Sequence, residues 1–79
     1  MTNEYPAVVG MIFVGLLTHR QKQLGYWICQ DEDFIYLFRR VGELPMLVFA
    51  FLYETTGVKE IRDKADVDIE QNELELISK

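Results

Sequence analysis

The hydrophobic positions of this 79-residue chain fall into blocks separated by short polar stretches. The densest block runs from Leu44 to Tyr53, with Pro45 near its start and Gly57 just past its end. Proline suits the first turn of a helix, where its missing N–H would be unpaired anyway, and glycine suits the left-handed residue after a helix. Leu44, Leu47, Val48, Phe51, Leu52 and Thr55 recur at helical spacing, while Phe49, Ala50 and Tyr53 make the remaining side apolar too. A helix apolar all round is buried on several sides, so the pattern predicts a central helix over 44–57 with the rest of the chain wrapped around it.

The run Ala7 to Leu17 is apolar without a clear period and fits a buried strand or a buried helix. Its β-branched Val8, Val9, Ile12 and Val14 and its interior Gly10 and Gly15 favour a strand. The rival is a helix starting at Pro6, with Arg20 and Lys22 in its last turn and Gly25 as its stop. In the strand reading, Thr18 to Gln23 is a polar connection. Tyr26-Trp27-Ile28-Cys29 and Phe34-Ile35-Tyr36-Leu37-Phe38 are rich in aromatic and β-branched residues, and Asp31-Glu32-Asp33 lies between them at the length of a hairpin loop. Alternation puts Phe34, Tyr36 and Phe38 on one side of the second strand and Ile35 and Leu37 on the other, so both sides are apolar. A half-exposed sheet does not need that much oily surface, and something must cover it in cis or in trans.

Val58, Ile61 and Ala65 sit three and four apart and predict a short second helix over 58–65. Residues 66–79 have two readings. As a helix they have Asp68 as N-cap with Gln71 three residues on, and Ile69, Leu76 and Ile77 roughly on one side. As a hairpin turning at Gln71-Asn72 they set Glu70 against Glu73 and Asp68 against Glu75, and like charges directly opposite favour the helix instead. The sum is an α+β fold: a three-stranded antiparallel meander followed by a three-helix bundle, winged-helix-like. Residues 1–79 form a single domain, with 1–6 as a loose N-terminal tail.

Composition narrows the class. A chain this short has room for one core and buries about 60% of its unfolded surface. With 49% apolar and 27% charged residues, it has the composition of a folded chain and not of a disordered tail. Cys29 is the only cysteine, so no intrachain disulfide is available, and a reducing cytoplasmic location is expected. The eleven residues from Ala7 to Leu17 fall short of the roughly 20 that a membrane-spanning helix needs, and no basic segment precedes them. Neither a membrane anchor nor an export signal is therefore expected. The first 42 residues balance their charges, so residues 43–79 carry the whole net charge of −5, and any nucleic-acid surface would have to avoid that half.

Catalytic chemistry is poorly provided for. His19 lies in the polar connection, Cys29 in a strand, where it reads as a small core residue, and Ser78 at the chain end. No nucleophile has a base in a plausible local motif, and no catalytic residue or enzyme activity is expected. Asp31-Glu32-Asp33 lacks the ligand number and spacing of a calcium loop and reads as a solvated turn. Gly10 and Gly15 match no phosphate-binding fingerprint. No metal or cofactor is expected. Arg39-Arg40, preceded by Tyr36 and Phe38 and supplemented by Arg20 and Lys22, is the only basic cluster, too small for a single-strand nucleic-acid groove.

The aromatic hairpin carries the functional expectation. The last strand of a meander is an edge unless covered, and an edge flanked by apolar side chains is what a peptide needs to dock as an added strand. The expected partner-binding residues are Phe34, Tyr36, Phe38, Arg39 and Arg40, engaging a peptide, a protein or a second copy of the chain. The alternatives are a winged-helix DNA-binding regulator, disfavoured by Glu70, Glu73 and Glu75 on its would-be recognition helix, and an acidic inhibitor that imitates nucleic acid.

The order of three strands then three helices resembles the small winged-helix-type domains of the PqqD family over about residues 25–78. Gly57-Val58-Lys59-Glu60-Ile61 would open the second helix and Asp66-Val67-Asp68 would turn into the third. The resemblance implies recognition of the leader peptides of ribosomally made, modified peptides. It places the leader along the third strand, Phe34 to Phe38, against a third helix from Ile69 to Ile77, which adds Leu74 and Ile77 to the expected contact residues.

Overall fold

The computed structural model describes residues 16–77, with side chains as far as Glu73 in the last helix. The expected tail 1–6 and nearly all of the expected strand 7–17 lie outside the described residues; Leu16 and Leu17, at the end of that run, are buried and belong to no strand. Thr18 Oγ1 then accepts the Gln21 backbone N–H at 3.2 Å, and Gln21 Oε1 accepts the Thr18 N–H at 3.0 Å. This reciprocal pair is a capping box, and it starts α1 (His19–Gln23) where the sequence reading placed a polar connection. Gly25, with φ +95°, takes the left-handed position after α1.

Three strands follow, β1 (Tyr26–Gln30), β2 (Phe34–Val41) and β3 (Leu44–Leu52), in an antiparallel sheet of order β1-β2-β3. The aromatic hairpin is present, with Asp31–Asp33 as its loop. Asp31 shapes that loop: Oδ1 accepts the N–H groups of Asp33 and Phe34, and Oδ2 accepts the Tyr36 hydroxyl at 2.6 Å.

The largest correction concerns the densest apolar block, which is β3 and not a central helix. Gly42 has φ +63° while Glu43 stays at negative φ, the pattern of a two-residue type II′ hairpin turn, and that turn sends Leu44 back along β2. Pro45 fits the strand for a reason specific to its place. The Arg40 N–H donates to the Gly25 carbonyl at 3.1 Å, so the Arg40 peptide faces β1. Antiparallel alternation then turns the peptide of its partner, Pro45, away from β2, where a missing N–H breaks no bond. Gly57 is no helix stop. Its N–H donates to Glu60 Oε2 at 3.2 Å, which places it at the entrance to α2 (Val58–Ile77).

The second correction is that α2 is one helix of 20 residues where two were expected. No glycine or proline interrupts 58–77, and the Asp68 carboxylate, expected to cap a new helix, is bound across the fold instead. The three-helix, winged-helix-like arrangement is thus replaced by the order α1-β1-β2-β3-α2, still α+β.

One face of the sheet packs under α2. Tyr26 and Ile28, Ile35 and Leu37, and Phe51 project at strand period 2 to meet Ile61, Ala65 and Ile69 at helix spacing, with Leu16 and Leu17 completing the cluster. Leu37 and Ile61 are fully buried. Burial of such a side chain contributes about 1.5–3 kcal/mol each. Gln21 is the one buried polar side chain among the described residues; its Nε2 donates to the Arg62 carbonyl and to Asp66, tying α1 to α2.

Candidate functional site

Ring contacts and register sort the sheet's other face. Trp27 and Phe38 stack with centroids 5.4 Å apart, Tyr36 leans on both Phe34 and Phe38, and the Arg40 guanidinium sits 5.5 Å from the centre of the Trp27 ring. On β3 their neighbours are Leu52 beside Phe34, Ala50 beside Tyr36, Leu47 beside Phe38 and Pro45 beside Arg40. Exposure on this outer face rises from β1 towards β3. Cys29 and Phe38 are buried, Trp27 and Tyr36 half-buried, and Leu47 and Leu52 are 54% and 55% exposed. Burial pushes the Cys29 thiol up from its usual value, away from the reactive thiolate.

The expected contact residues therefore divide. Phe34, Tyr36, Phe38 and Arg40 share the outer face, as their spacing implied. Their strand is the middle one, however, paired to β1 on one side and to β3 on the other, so β2 offers no free backbone edge. Arg39 points to the opposite face, because adjacent strand residues alternate, and its Nε lies 2.7 Å from Asp68 Oδ2. The basic pair Arg39-Arg40 is thus split between two faces. The side chains of Leu74 and Ile77 lie outside the described residues.

Asp68 is the polar hub of the helix-covered face. The same Oδ2 accepts the Tyr26 hydroxyl at 2.6 Å and Asn72 Nδ2 at 3.3 Å. Burial first, then the hydrogen bond and charge of Asp68, hold the Tyr26 hydroxyl well above the usual tyrosine value. These contacts fasten β1 and β2 to α2, and their partners are all accounted for within the fold.

Of the sheet's two outer strands, β1 and β3, the longer and more exposed is β3. Phe34 O accepts the Asp31 N–H and Asp33 O accepts the Tyr53 N–H, so Phe34 faces β1 and Asp33 faces β3. Carried along β2, this alternation turns Phe34, Tyr36, Phe38 and Arg40 towards β1, and turns the peptides of Leu52, Ala50, Leu47 and Pro45 outward. A bulge at Val48, where Leu37 pairs with Phe49 and Phe38 with Leu47, separates the outward pairs. Among the described residues, no strand lies beyond these groups. All nine residues of β3 are apolar, and six of them are exposed. Natural edges are blunted by charges, short length or proline, and within β3 itself Pro45 and the bulge are such devices.

At the Leu52 end the edge opens into a pocket lined by Glu32, Asp33, Phe34, Leu52, Glu54 and Thr55. Its three carboxylates are in no ion pair among the described residues. No cluster of His, Cys, Asp and Glu suited to a metal ion is found among the described residues, and no helix there is long and apolar enough to cross a membrane.

No protein-family model, no curated protein and no solved structure matches the chain. The signals that sequence reasoning missed were local ones. Gly42-Glu43 between two apolar runs is a two-residue hairpin turn, and Thr18-x-x-Gln21 is a capping box.

Proposed function

We propose that this chain is a non-catalytic module that binds a peptide or protein partner by strand addition along β3, with the outer-face side chains of β2 and β3 as the contact surface. The observation that carries the proposal is the nine-residue, uncharged, largely exposed edge of β3. Its outward N–H groups at Leu47, Ala50 and Leu52 and outward carbonyls at Pro45, Leu47 and Ala50 offer rungs to an added strand, the Leu52 carbonyl being taken by the Thr55 and Thr56 N–H groups of the following turn. The likeness to PqqD domains placed a leader peptide along Phe34 to Phe38, which is the middle strand here and is paired on both sides. The present fold lacks that family's third helix, so the proposal rests on the edge and not on the likeness.

Display of random extended peptides against the wild-type chain, counter-selected on Leu47→Lys, tests it. Leu47 is exposed, so the variant keeps its core while placing a charge on the edge. The expected result is enrichment of peptides with alternating apolar residues that bind Leu47→Lys at least ~10-fold more weakly and protect the amides of Leu47, Ala50 and Leu52 from exchange. Peptides that bind both proteins alike overturn the proposal.

A further inference from the structure

Building on the reading of β3 as a docking edge, we infer that its resident occupant is this chain's own segment 7–15, laid along β3 as a fourth strand that a partner must displace. The segment itself lies outside the described residues, but its tether does not. Leu16 is buried, and its carbonyl accepts the Arg62 Nε–H at 2.7 Å. Leu16 shares an apolar pocket with Ile35, Tyr53, Val58 and Ile61, and Tyr53 directly follows the last residue of β3. The chain therefore enters the described fold at the Leu52 end of β3. The opposite edge, β1, is shorter, with five residues against nine, and its Tyr26, Ile28 and Cys29 are already buried.

Length and chemistry match the same edge. Residues 7–15 number nine, as do those of β3, and as a strand either extends about 30 Å. Followed back from Leu16, the segment runs from the Leu52 end towards Leu44, which makes it parallel to β3. The Thr55 and Thr56 N–H groups already occupy the Leu52 carbonyl, so the open ladder ends there, where the segment must leave the edge for Leu16. Both sides of β3 are exposed and apolar, with Leu47 and Leu52 on the outer face and Met46 and Phe49 on the helix side. The segment answers both. Alternation puts Val8, Ile12 and Val14 on one side of it and Val9, Met11 and Phe13 on the other, with no charge on either.

The tether also sets the competition. A strand attached at Leu16 meets the edge at an effective concentration on the order of millimolar. Its docking covers an apolar edge that would otherwise pair with other chains. A second copy fits less well: the antiparallel register that aligns the outward residues sets Pro45 against Leu52, whose carbonyl is taken, and brings Glu43 beside Glu54.

Amide hydrogen exchange on the full chain, read by NMR, tests this. The outward amides of Leu47, Ala50 and Leu52 are expected to exchange ~100-fold more slowly in the wild type than in Val9→Asp/Ile12→Asp, with the Tyr36 and Phe38 amides, which face β1, unchanged. Leu47→Lys, which breaks the same contact from the β3 side, is expected to release the Ala50 and Leu52 amides as well. Fast exchange in the wild type, or equal protection in all three chains, overturns the inference. In trans, a synthetic peptide of residues 7–15 with a solubilising polyethylene glycol tail is expected to bind Val9→Asp/Ile12→Asp ~10-fold or more tightly than the wild type, and to lose that binding when Leu47→Lys is added. Equal affinities for the two chains overturn the inference, and leave edge binding standing where Leu47→Lys abolishes them. Protected wild-type amides, with no displayed peptide binding even Val9→Asp/Ile12→Asp, would instead overturn edge binding by a partner and keep the internal strand. A wild-type solution mass of twice the chain, reduced to one chain by Leu47→Lys, would give the edge to a second copy and overturn the inference.

Discussion

The two faces of this one sheet are built from the same kinds of residue and end in different states. Along β2, Ile35, Leu37 and Arg39 alternate with Phe34, Tyr36, Phe38 and Arg40. The first set meets α2: the aliphatic pair joins Ile61, Ala65 and Ile69, and the arginine is clamped by Asp68. In the second set the rings lie against one another, Arg40 sits over Trp27 and the Tyr36 hydroxyl reaches Asp31, and the surface it begins grows more exposed until it reaches Leu47 and Leu52. Hydrophobicity therefore does not distinguish the faces. The helix does, because its Ile61-Ala65-Ile69 stripe can cover only one of them.

The largest expected contrast lies between two leucines on opposite faces. Leu37→Ala empties a fully buried site and is expected to cost about 2–5 kcal/mol of unfolding free energy, whereas Leu47→Ala is expected to cost under about 1 kcal/mol. Urea unfolding of the two variants measures the difference, and equal losses would mean that the outer face is as tightly packed as the core.

A smaller effect is expected from the clamp. Asp68→Ala leaves the Arg39 guanidinium and the Tyr26 hydroxyl on the half-buried helix side without their acceptor, and a loss of about 2–3 kcal/mol follows. The comparison is sharpened by pairing it with Tyr36→Phe, which removes a hydrogen bond to Asp31 at the exposed loop and is expected to cost less than about 1 kcal/mol.

The third effect is a pH dependence confined to alkaline solution. Tyr26 has its folded value raised, so the folded state holds the phenolic proton more tightly than the unfolded chain does. Its contribution is whole below about pH 10, the unfolded value, and is lost as pH rises towards the folded value. Thermal unfolding across that range is expected to show stability falling with pH, with a shallower fall in Tyr26→Phe. On the outer face Tyr36 is raised in the same direction by its hydrogen bond to Asp31 at the exposed loop, and its removal is expected to leave the slope nearly unchanged.

How much of this was legible beforehand varies with the element. Tyr26–Cys29 and Phe34–Phe38 announced the first two strands of the sheet, although not their extent to Gln30 and Val41, through β-branched and aromatic content around an acidic loop whose Asp31 can bond its own backbone two and three residues on. Val58, Ile61 and Ala65 announced a helix, although not its length, because an aspartate that can cap one helix can equally serve as a side-chain acceptor inside another. For the candidate site, the shared side of Phe34, Tyr36 and Phe38 followed from period 2 alone. The identity of the edge did not. It depended on whether a fourth segment joined the sheet beside β2, and Leu44–Leu52 has no hydrophobic period to say so.

Local chemistry in the amino-acid order determined where this chain turns and which residues share a side: Gly25 and Gly42 permit positive φ, Asp31 folds its loop, and alternation separates Leu37 from Phe38. Only the tertiary structure decided that the most apolar stretch is a strand at the rim and not a helix at the centre. The physical reason is that an unbroken apolar run lowers its free energy against any matching surface. The type II′ turn at Gly42-Glu43 delivers it to the backbone of β2, leaving α2 to cover one side of the result.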